Sequence, residues 1–346
     1  MPYTGGFSHE FRKVVVIGGS GLIGSYIVRK CLQEGLTVRA THYSNLNPDC
    51  QKAAGSGVEW VQADILNVFD LEDLFKGFDA VINTAAIVSF DPRKKKRAFR
   101  LAKEGSANIV QAAVDAGIRK LVHVSSVAAM GRKKMVNVVS EKEVFSHSPF
   151  DTSYGLSKFL AEQEVWRGYF EGLPVTIINP SLVIGAGTWG QSSTKLITSV
   201  QEGLAYFPTG SNGFVDVRDV ADAAFRSLSC DFDGHRFIIS GENLTYEHVF
   251  KEISRQLNMK TQWKPLTGIL AALSWRGSAF VSLITGKEPV FTRENVKSTS
   301  TLTTYVNTKS TDILGLTYRP VQQSIEESCR VFIEEGQMGK RFAMLS

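Results

Sequence analysis

The stretch VVVIGGSGLIGSYIV, Val14 to Val28, decides how the rest of the chain is read. Val14 to Ile17 form an apolar run of the kind buried in a parallel sheet. Gly18, Gly21 and Gly24 follow at three-residue intervals, and a helical pattern leads on from them. In such a turn the first glycine lets the chain reverse tightly, the second lets backbone approach a phosphate, and the third lets helix pack on strand. The unpaired N–H groups and dipole at the helix start favour an anion. Three glycines alone are weak evidence, but the strand-turn-helix context predicts a dinucleotide pyrophosphate held by Gly18, Ser20, Gly21, Leu22, Ile23 and Gly24.

Outward from this turn, short apolar runs alternate with helical patterns, which signals parallel strands joined by crossover helices. Six strands are expected: KVVVIG from Lys13, TVRATH from Thr37, VEWVQAD from Val58, AVINTAA from Ala80, KLVHVSS from Lys120 and VTIINP from Val175. Helices are expected over 21–34, 70–75, 98–116 and 153–171, and after the rhythm breaks at Pro180, over 196–203, 220–229 and 246–257. The fold class is α/β: a Rossmann-type doubly wound sheet over 11–184, with a smaller, mainly helical substrate lobe over 185–346 from which segments around 214–240 return to the core. Ligands of such sheets sit beyond the carboxyl ends of the strands.

With 346 residues, 43% apolar and 21% charged, the composition is that of an ordinary globular protein. A net charge of +5 over this length is too mild to point to nucleic acid. The excess is local: DPRKKKRAFR, Asp91 to Arg100, reads as a solvated helix start or as a draw for an anionic cofactor or substrate. Cys31, Cys50, Cys230 and Cys329 lie far apart with no CxxC pair, so neither a disulfide framework nor a metal site is indicated. A reducing compartment fits, no signal peptide is visible, and the expected location is cytoplasmic. Gly268 to Gly286 is apolar but interrupted by Arg276, and reads as a lid over a greasy pocket or a face resting on a membrane rather than a spanning helix.

The end of the second strand, VRATHYSN, carries His42 and Tyr43 with no carboxylate until Asp49. An acid there would bind the ribose hydroxyls of NAD, so NADP is favoured, with NAD as the alternative. Asp64, closing the third strand beside Ile65, is placed either to accept from the adenine amine or to cap a helix. Thr84, Ala85 and Ala86 close the fourth strand at the same sheet edge.

Tyr154 and Lys158 lie at i and i+4, on one helix face with Cβ atoms roughly 5 to 6 Å apart. An ammonium beside a phenol favours the phenolate and lowers its pKa from about 10, making a tunable acid/base. Ser125 and Ser126 end the fifth strand, where a hydroxyl can stabilise a developing oxyanion or merely cap the next turn.

Together, GGSGLIG, ADI, NTAA, VSS, YGLSK, INPSLVIGAG, VDVRDVADA and VNTKSTDILGLTYRP resemble the extended short-chain dehydrogenase/reductases, within the NAD-dependent epimerase/dehydratase superfamily, over nearly the whole chain. The resemblance implies that Ser126 rather than Ser125 is the catalytic serine, that Tyr154 exchanges the proton, and that Lys158 binds the ribose and depresses the Tyr154 pKa. It also implies that Pro180, Ser181 and Val183 border the nicotinamide. NPSLVIGAG looks like the strand exit of the dihydroflavonol reductase and 3-beta-hydroxysteroid dehydrogenase branches. With Trp189, Phe207, Phe214, Trp263, Leu270, Trp275 and Phe280 in the lobe, either as pocket lining or as core, the expected reaction is hydride transfer between NADPH and a hydrophobic ketone, aldehyde or alcohol. The alternative is a nucleotide-sugar epimerase or dehydratase that retains NAD. Where many members carry an asparagine in an NVxGT pattern, this chain has Ala102, which removes the side chain of a water relay. Family members often dimerise through the helix of Tyr154, and Phe159, Leu160 and Val165 permit a homodimer here.

Overall fold

Strand and helix alternate from the first described residues because the apolar period switches between runs and helical spacing. The computed structural model describes residues 11–87, 91–131, 137–146, 148, 150–267, 275–276, 292–335 and 342–346. In the first half Lys13–Ile17 (β1), Leu22–Gln33 (α1), Thr37–His42 (β2), Pro48–Ala54 (α2), Val58–Gln62 (β3), Val68–Phe75 (α3), Ala80–Asn83 (β4), Lys95–Arg100 (α4), Ser106–Asp115 (α5) and Lys120–Val124 (β5) follow in turn. Then come Asn137–Val139 (β6), Ser153–Phe170 (α6), Val175–Pro180 (β7), Leu182–Ile184 (β8), Lys195–Gln201 (α7), Tyr206–Phe207 (β9), Ser211–Asp216 (β10), Val217–Arg226 (α8), His235–Ile239 (β11), Glu242–Thr245 (β12) and Tyr246–Gln256 (α9). Lys264–Pro265 (β13) and Thr303–Tyr305 (β14) precede a closing helix over Val321–Glu335.

Seven strands form one parallel sheet in the order β3-β2-β1-β4-β5-β7-β11. The six strands expected from the sequence are all present, and β11 is the seventh. Its five residues sit where the βα rhythm has stopped, and its pairing with β7, His235 opposite Thr176 through Ile239 opposite Pro180, is decided by contacts distant in sequence. Val14 and Val16 pack into one core cluster and Val15 and Ile17 into the other, so the pleat sends alternate side chains to the two helical layers. That is why β1 reads as a continuous apolar run rather than an alternating one.

The lobe aromatics are core. Trp189 meets Phe332 edge-on at 4.9 Å, Phe214 meets Tyr246 at 6.0 Å and Trp263 meets Phe250 at 5.4 Å. Phe207 is buried with them. Of the two roles open to them, the structure shows core packing for Trp189, Phe207, Phe214 and Trp263, whose rings tie α9 and the closing helix to the lobe. Leu270, Phe280 and nearly all of the apolar segment 268–286 lie outside the described residues. Among the described residues, no helix is long and apolar enough to cross a membrane.

Of the residues named for a dimer face, Phe159 and Leu160 are half-buried on α6. Val165 is 1% exposed in the core beneath α6, and Phe159 stacks on Phe145 at 5.1 Å. The exposed aromatics of α6 are instead Tyr169 and Phe170, at its carboxyl end.

Asp216 ties the lobe together. Its carboxylate caps α8 through the Arg218 N–H at 2.7 Å, pairs with the Arg218 guanidinium at 2.7 Å, and accepts from Ser324 Oγ of the closing helix at 2.7 Å. Burial opposes the charge, but these partners together hold the carboxyl below the usual aspartate range. A carboxyl depressed in the folded state contributes stability above its unfolded pKa and loses it as pH falls through the folded one. Asp216→Ala is expected to cost about 3 kcal/mol at neutral pH, as breaking a buried pair does. The penalty should shrink below the ordinary aspartate range in urea unfolding followed against pH.

Candidate active site

The glycine turn has the shape its spacing implies. Gly18 has φ +77°, a left-handed conformation that suits glycine, and its N–H donates to Thr41 Oγ1 at 2.9 Å. A Cβ on Gly24 would lie 2.1 Å from the Gly18 carbonyl oxygen, so only glycine lets α1 approach β1 this closely. A Cβ on Gly21 meets nothing nearer than that same oxygen at 3.3 Å, which leaves the outer side of the turn open. Gly21 caps α1 with no side-chain cap, and no acid occupies the first turn. The N–H groups there are left for a phosphate, and the residues present fit a dinucleotide pyrophosphate. Leu22 is covered from the second half by Gly187, where an added Cβ would fall 2.7 Å from Leu22 Cδ1.

Thr84 locks β4 to this turn, with Oγ1 donating to Ile17 O at 2.7 Å. Asn83 holds the same exit: its Oδ1 accepts from the Ala85 N–H at 3.0 Å and its Nδ2 donates to His123 Nδ1 at 3.2 Å. His123 is buried and its pKa is pushed down to about 3, first by burial and then by Lys158, so it is neutral and accepts there. Neither residue stands out in sequence, because nothing local says that two strands will place them side by side.

At the end of β2, His42 Nδ1 lies 2.6 Å from Ser44 O, and Tyr43 is exposed. Arg97, from the basic run on α4, donates to Tyr43 Oη at 3.0 Å with its guanidinium 5.4 Å from the ring centre. The basic run is thus not merely solvated: one of its members reaches the residue that follows β2. Asp64, for which two roles were open, caps a turn here through the Leu66 N–H at 3.0 Å. Ile65 packs on Gly105 inside a π-helical turn, Leu101–Gly105, which joins α4 to α5 and contains Ala102.

The candidate reacting groups Ser126, Tyr154 and Lys158 lie together where β5 meets α6. Thr152 caps α6 through the Gly155 N–H at 3.0 Å, which fixes Tyr154 in the first turn. The Tyr154 hydroxyl is hydrogen-bonded to the Ser126 side chain, while the Ser125 hydroxyl, 4% exposed, has no partner among the described residues. Ser126 Oγ also accepts from the Ala128 N–H at 3.2 Å. Lys158 is 5% exposed and donates to Val124 O at 3.0 Å.

The electrostatics differ from expectation in one respect. Tyr154 is shifted upward, not downward: burial raises its pKa and the Ser126 hydrogen bond opposes that only in part. Lys158 is pushed down to about 8 by burial, against the upward pull of Glu162. Its ammonium is committed to the Val124 carbonyl, so depression of the phenol by Lys158 is not seen in the protein alone. Beyond this pair, Pro180 ends β7, Ser181 is buried with a hydroxyl that has no partner among the described residues, and Val183 lies in β8. These three adjoin Ser126 through Asn179, whose Nδ2 donates to Ser126 O at 2.9 Å.

Residues 14–239 match the family model of the NAD dependent epimerase/dehydratase family. A putative dihydroflavonol 4-reductase of Synechocystis sp. is 28% identical over 336 residues, covering 93% of this chain and 94% of its own. Cinnamoyl-CoA reductase 1 of Petunia hybrida is 30% identical over 226 residues, covering 60% of this chain and 66% of its own. The crystal structure of gox2253 superposes with a TM-score of 0.80 at 25% identity, covering 94% of this chain and 99% of that one. The chain belongs to the NAD dependent epimerase/dehydratase family, as an enzyme of the extended short-chain dehydrogenase/reductase type that uses a nicotinamide dinucleotide.

Proposed function

We propose that the protein is an NADPH-dependent reductase of a hydrophobic ketone or aldehyde, working through Ser126, Tyr154 and Lys158. The observation that carries this reading is the end of β2, which lacks a carboxylate and presents Tyr43 beneath the Arg97 guanidinium. A cationic fork there suits a 2′-phosphate, and preference for NADP suits a reductase that exchanges its cofactor at each turnover. The similarity to a protein named dihydroflavonol 4-reductase over almost the full length supports the same class.

When bound, the nicotinamide supplies or takes the hydride. Ser126 orients the substrate carbonyl and stabilises charge on its oxygen, and Tyr154 delivers the proton to that oxygen. Burial favours the protonated phenol, the form that donates to the carbonyl oxygen. Buried Lys158, charged below about pH 8, holds positive charge beside the site. Val127, Met130, Val139, Ile238 and Tyr305 form a buried apolar cluster that packs the Ser126 turn against the lobe. Cys31, Cys50 and Cys329 are free, buried thiols, each pushed up to about 12 by burial and so unreactive.

The test is fluorescence titration with NADPH and NADH, followed by a panel of aromatic and alicyclic carbonyls and UDP-sugars at the reduced-nicotinamide absorbance. NADPH consumption by a hydrophobic carbonyl is expected. Conversion of a UDP-sugar with NAD retained would overturn the reading in favour of an epimerase. Arg97→Glu is expected to weaken NADPH binding about tenfold or more, the worth of a charge-assisted hydrogen bond, with NADH binding unchanged.

A further inference from the structure

Beneath the reacting groups runs a buried polar chain that neither hydride transfer nor cofactor binding uses. Tyr154, Lys158 and Glu162 occupy i, i+4 and i+8 of α6, one stripe of the helix. Glu162 is 1% exposed. Its Oε1 accepts from Asn179 Nδ2 at 2.6 Å, and the same amide nitrogen donates to Ser126 O at 2.9 Å. Both hydrogens of that amide are therefore spent on linking the α6 carboxylate to the serine turn. Glu162 Oε2 lies 3.3 Å from Arg236 Nη1 of β11. Arg236 is itself fixed, with Nη2 donating to Glu141 O at 2.5 Å and Glu143 O at 2.7 Å.

A buried carboxylate is costly to desolvate, and a core pair can often be replaced by apolar groups without loss. This one joins four elements that must keep register: α6, β7 through Asn179, the β5 exit and β11. We propose that Glu162 is a positioning residue for the reaction, fixing the Ser126 turn through Asn179 and sustaining the positive charge of Lys158 from the next turn of the same helix. The proposal rests on the Ser126, Tyr154 and Lys158 reading above.

The titratable and charged groups around Lys158 are Tyr154 and Glu162 on α6, His123 on β5 and, beyond Glu162, Arg236 on β11. Burial works against the ammonium, neutral His123 contributes no charge, and Glu162 favours it. Removing the carboxylate therefore lowers the pH at which Lys158 loses its proton.

The deciding measurement is an NMR titration of the full-length protein carrying lysine labelled with 13C at Cε, with Lys158→Arg identifying the resonance. Glu162→Gln is expected to move the Lys158 midpoint down by about one unit and the alkaline limb of kcat/KM with it. Glu162→Asp, which restores the charge, should bring both back toward the original values. Asn179→Ala leaves the ion pair in place and releases the Ser126 carbonyl; it is expected to lower kcat about tenfold with NADPH affinity unchanged. It also carries the test if Glu162→Gln does not fold. An unmoved Lys158 midpoint in Glu162→Gln, or an unchanged kcat in Asn179→Ala, overturns the proposal and leaves Glu162 as a core ion pair only. Because the midpoint is read without turnover, its failure is distinct from failure of the reductase reading, which Tyr154→Phe tests.

Discussion

Tyr154→Phe is expected to lower kcat by about three orders of magnitude, within the range general acid catalysis supplies, while NADPH affinity stays nearly constant. The substitution removes one oxygen and keeps the ring. The ring lies in the first turn of α6, whose Thr152 cap does not depend on the hydroxyl. What disappears is the hydrogen bond to Ser126 and the proton donor itself. Steady-state kinetics with the preferred carbonyl, beside fluorescence titration with NADPH, separates the two effects. Unchanged turnover would remove Tyr154 from the chemistry. Loss of NADPH binding together with turnover would show that the change had damaged the fold rather than the proton transfer.

Gly24→Ala is expected to be the most damaging single-methyl change in the chain's first half. Its Cβ would sit 2.1 Å from Gly18 O and 2.9 Å from both Gly18 C and Gly19 Cα, all of them backbone atoms that cannot swing aside. Helix α1 must lift off the sheet, at a cost of about 3 kcal/mol, the upper part of the overpacking range. That movement also spoils the cradle, so a lowered Tm and loss of NADPH binding should appear together. Gly21→Ala supplies the contrast: its Cβ approaches only Gly18 O, at 3.3 Å, so Tm should barely change while the methyl group obstructs the side open to phosphate. A Gly24→Ala variant with original Tm and affinity would mean that the turn does not hold the dinucleotide.

Much of the candidate site's geometry was legible because it is carried by local spacing. The i and i+4 relation of Tyr154 and Lys158, the glycine intervals and the serine closing an apolar run survive folding unchanged, since one helix or one turn fixes each of them. The charge states were not legible. The sequence places an ammonium beside a phenol and predicts a lowered tyrosine pKa, but burial reverses the sign, and the Lys158 ammonium turns to the Val124 carbonyl instead. The contact between Arg97 and Tyr43 was equally hidden, because 54 residues separate its partners.

The sequence by itself determined the doubly wound sheet, the glycine turn between β1 and α1 and the spacing of Tyr154 and Lys158 on one helix, since each depends on short-range periodicity and backbone freedom. Only the tertiary structure decided the rest. It added β11 to the sheet edge, committed Trp189, Phe214 and Trp263 to the core, and joined Glu162 to Asn179 and Arg236. Those outcomes depend on which distant segments share one buried volume. Desolvation there, rather than sequence neighbourhood, sets the cost of every charge.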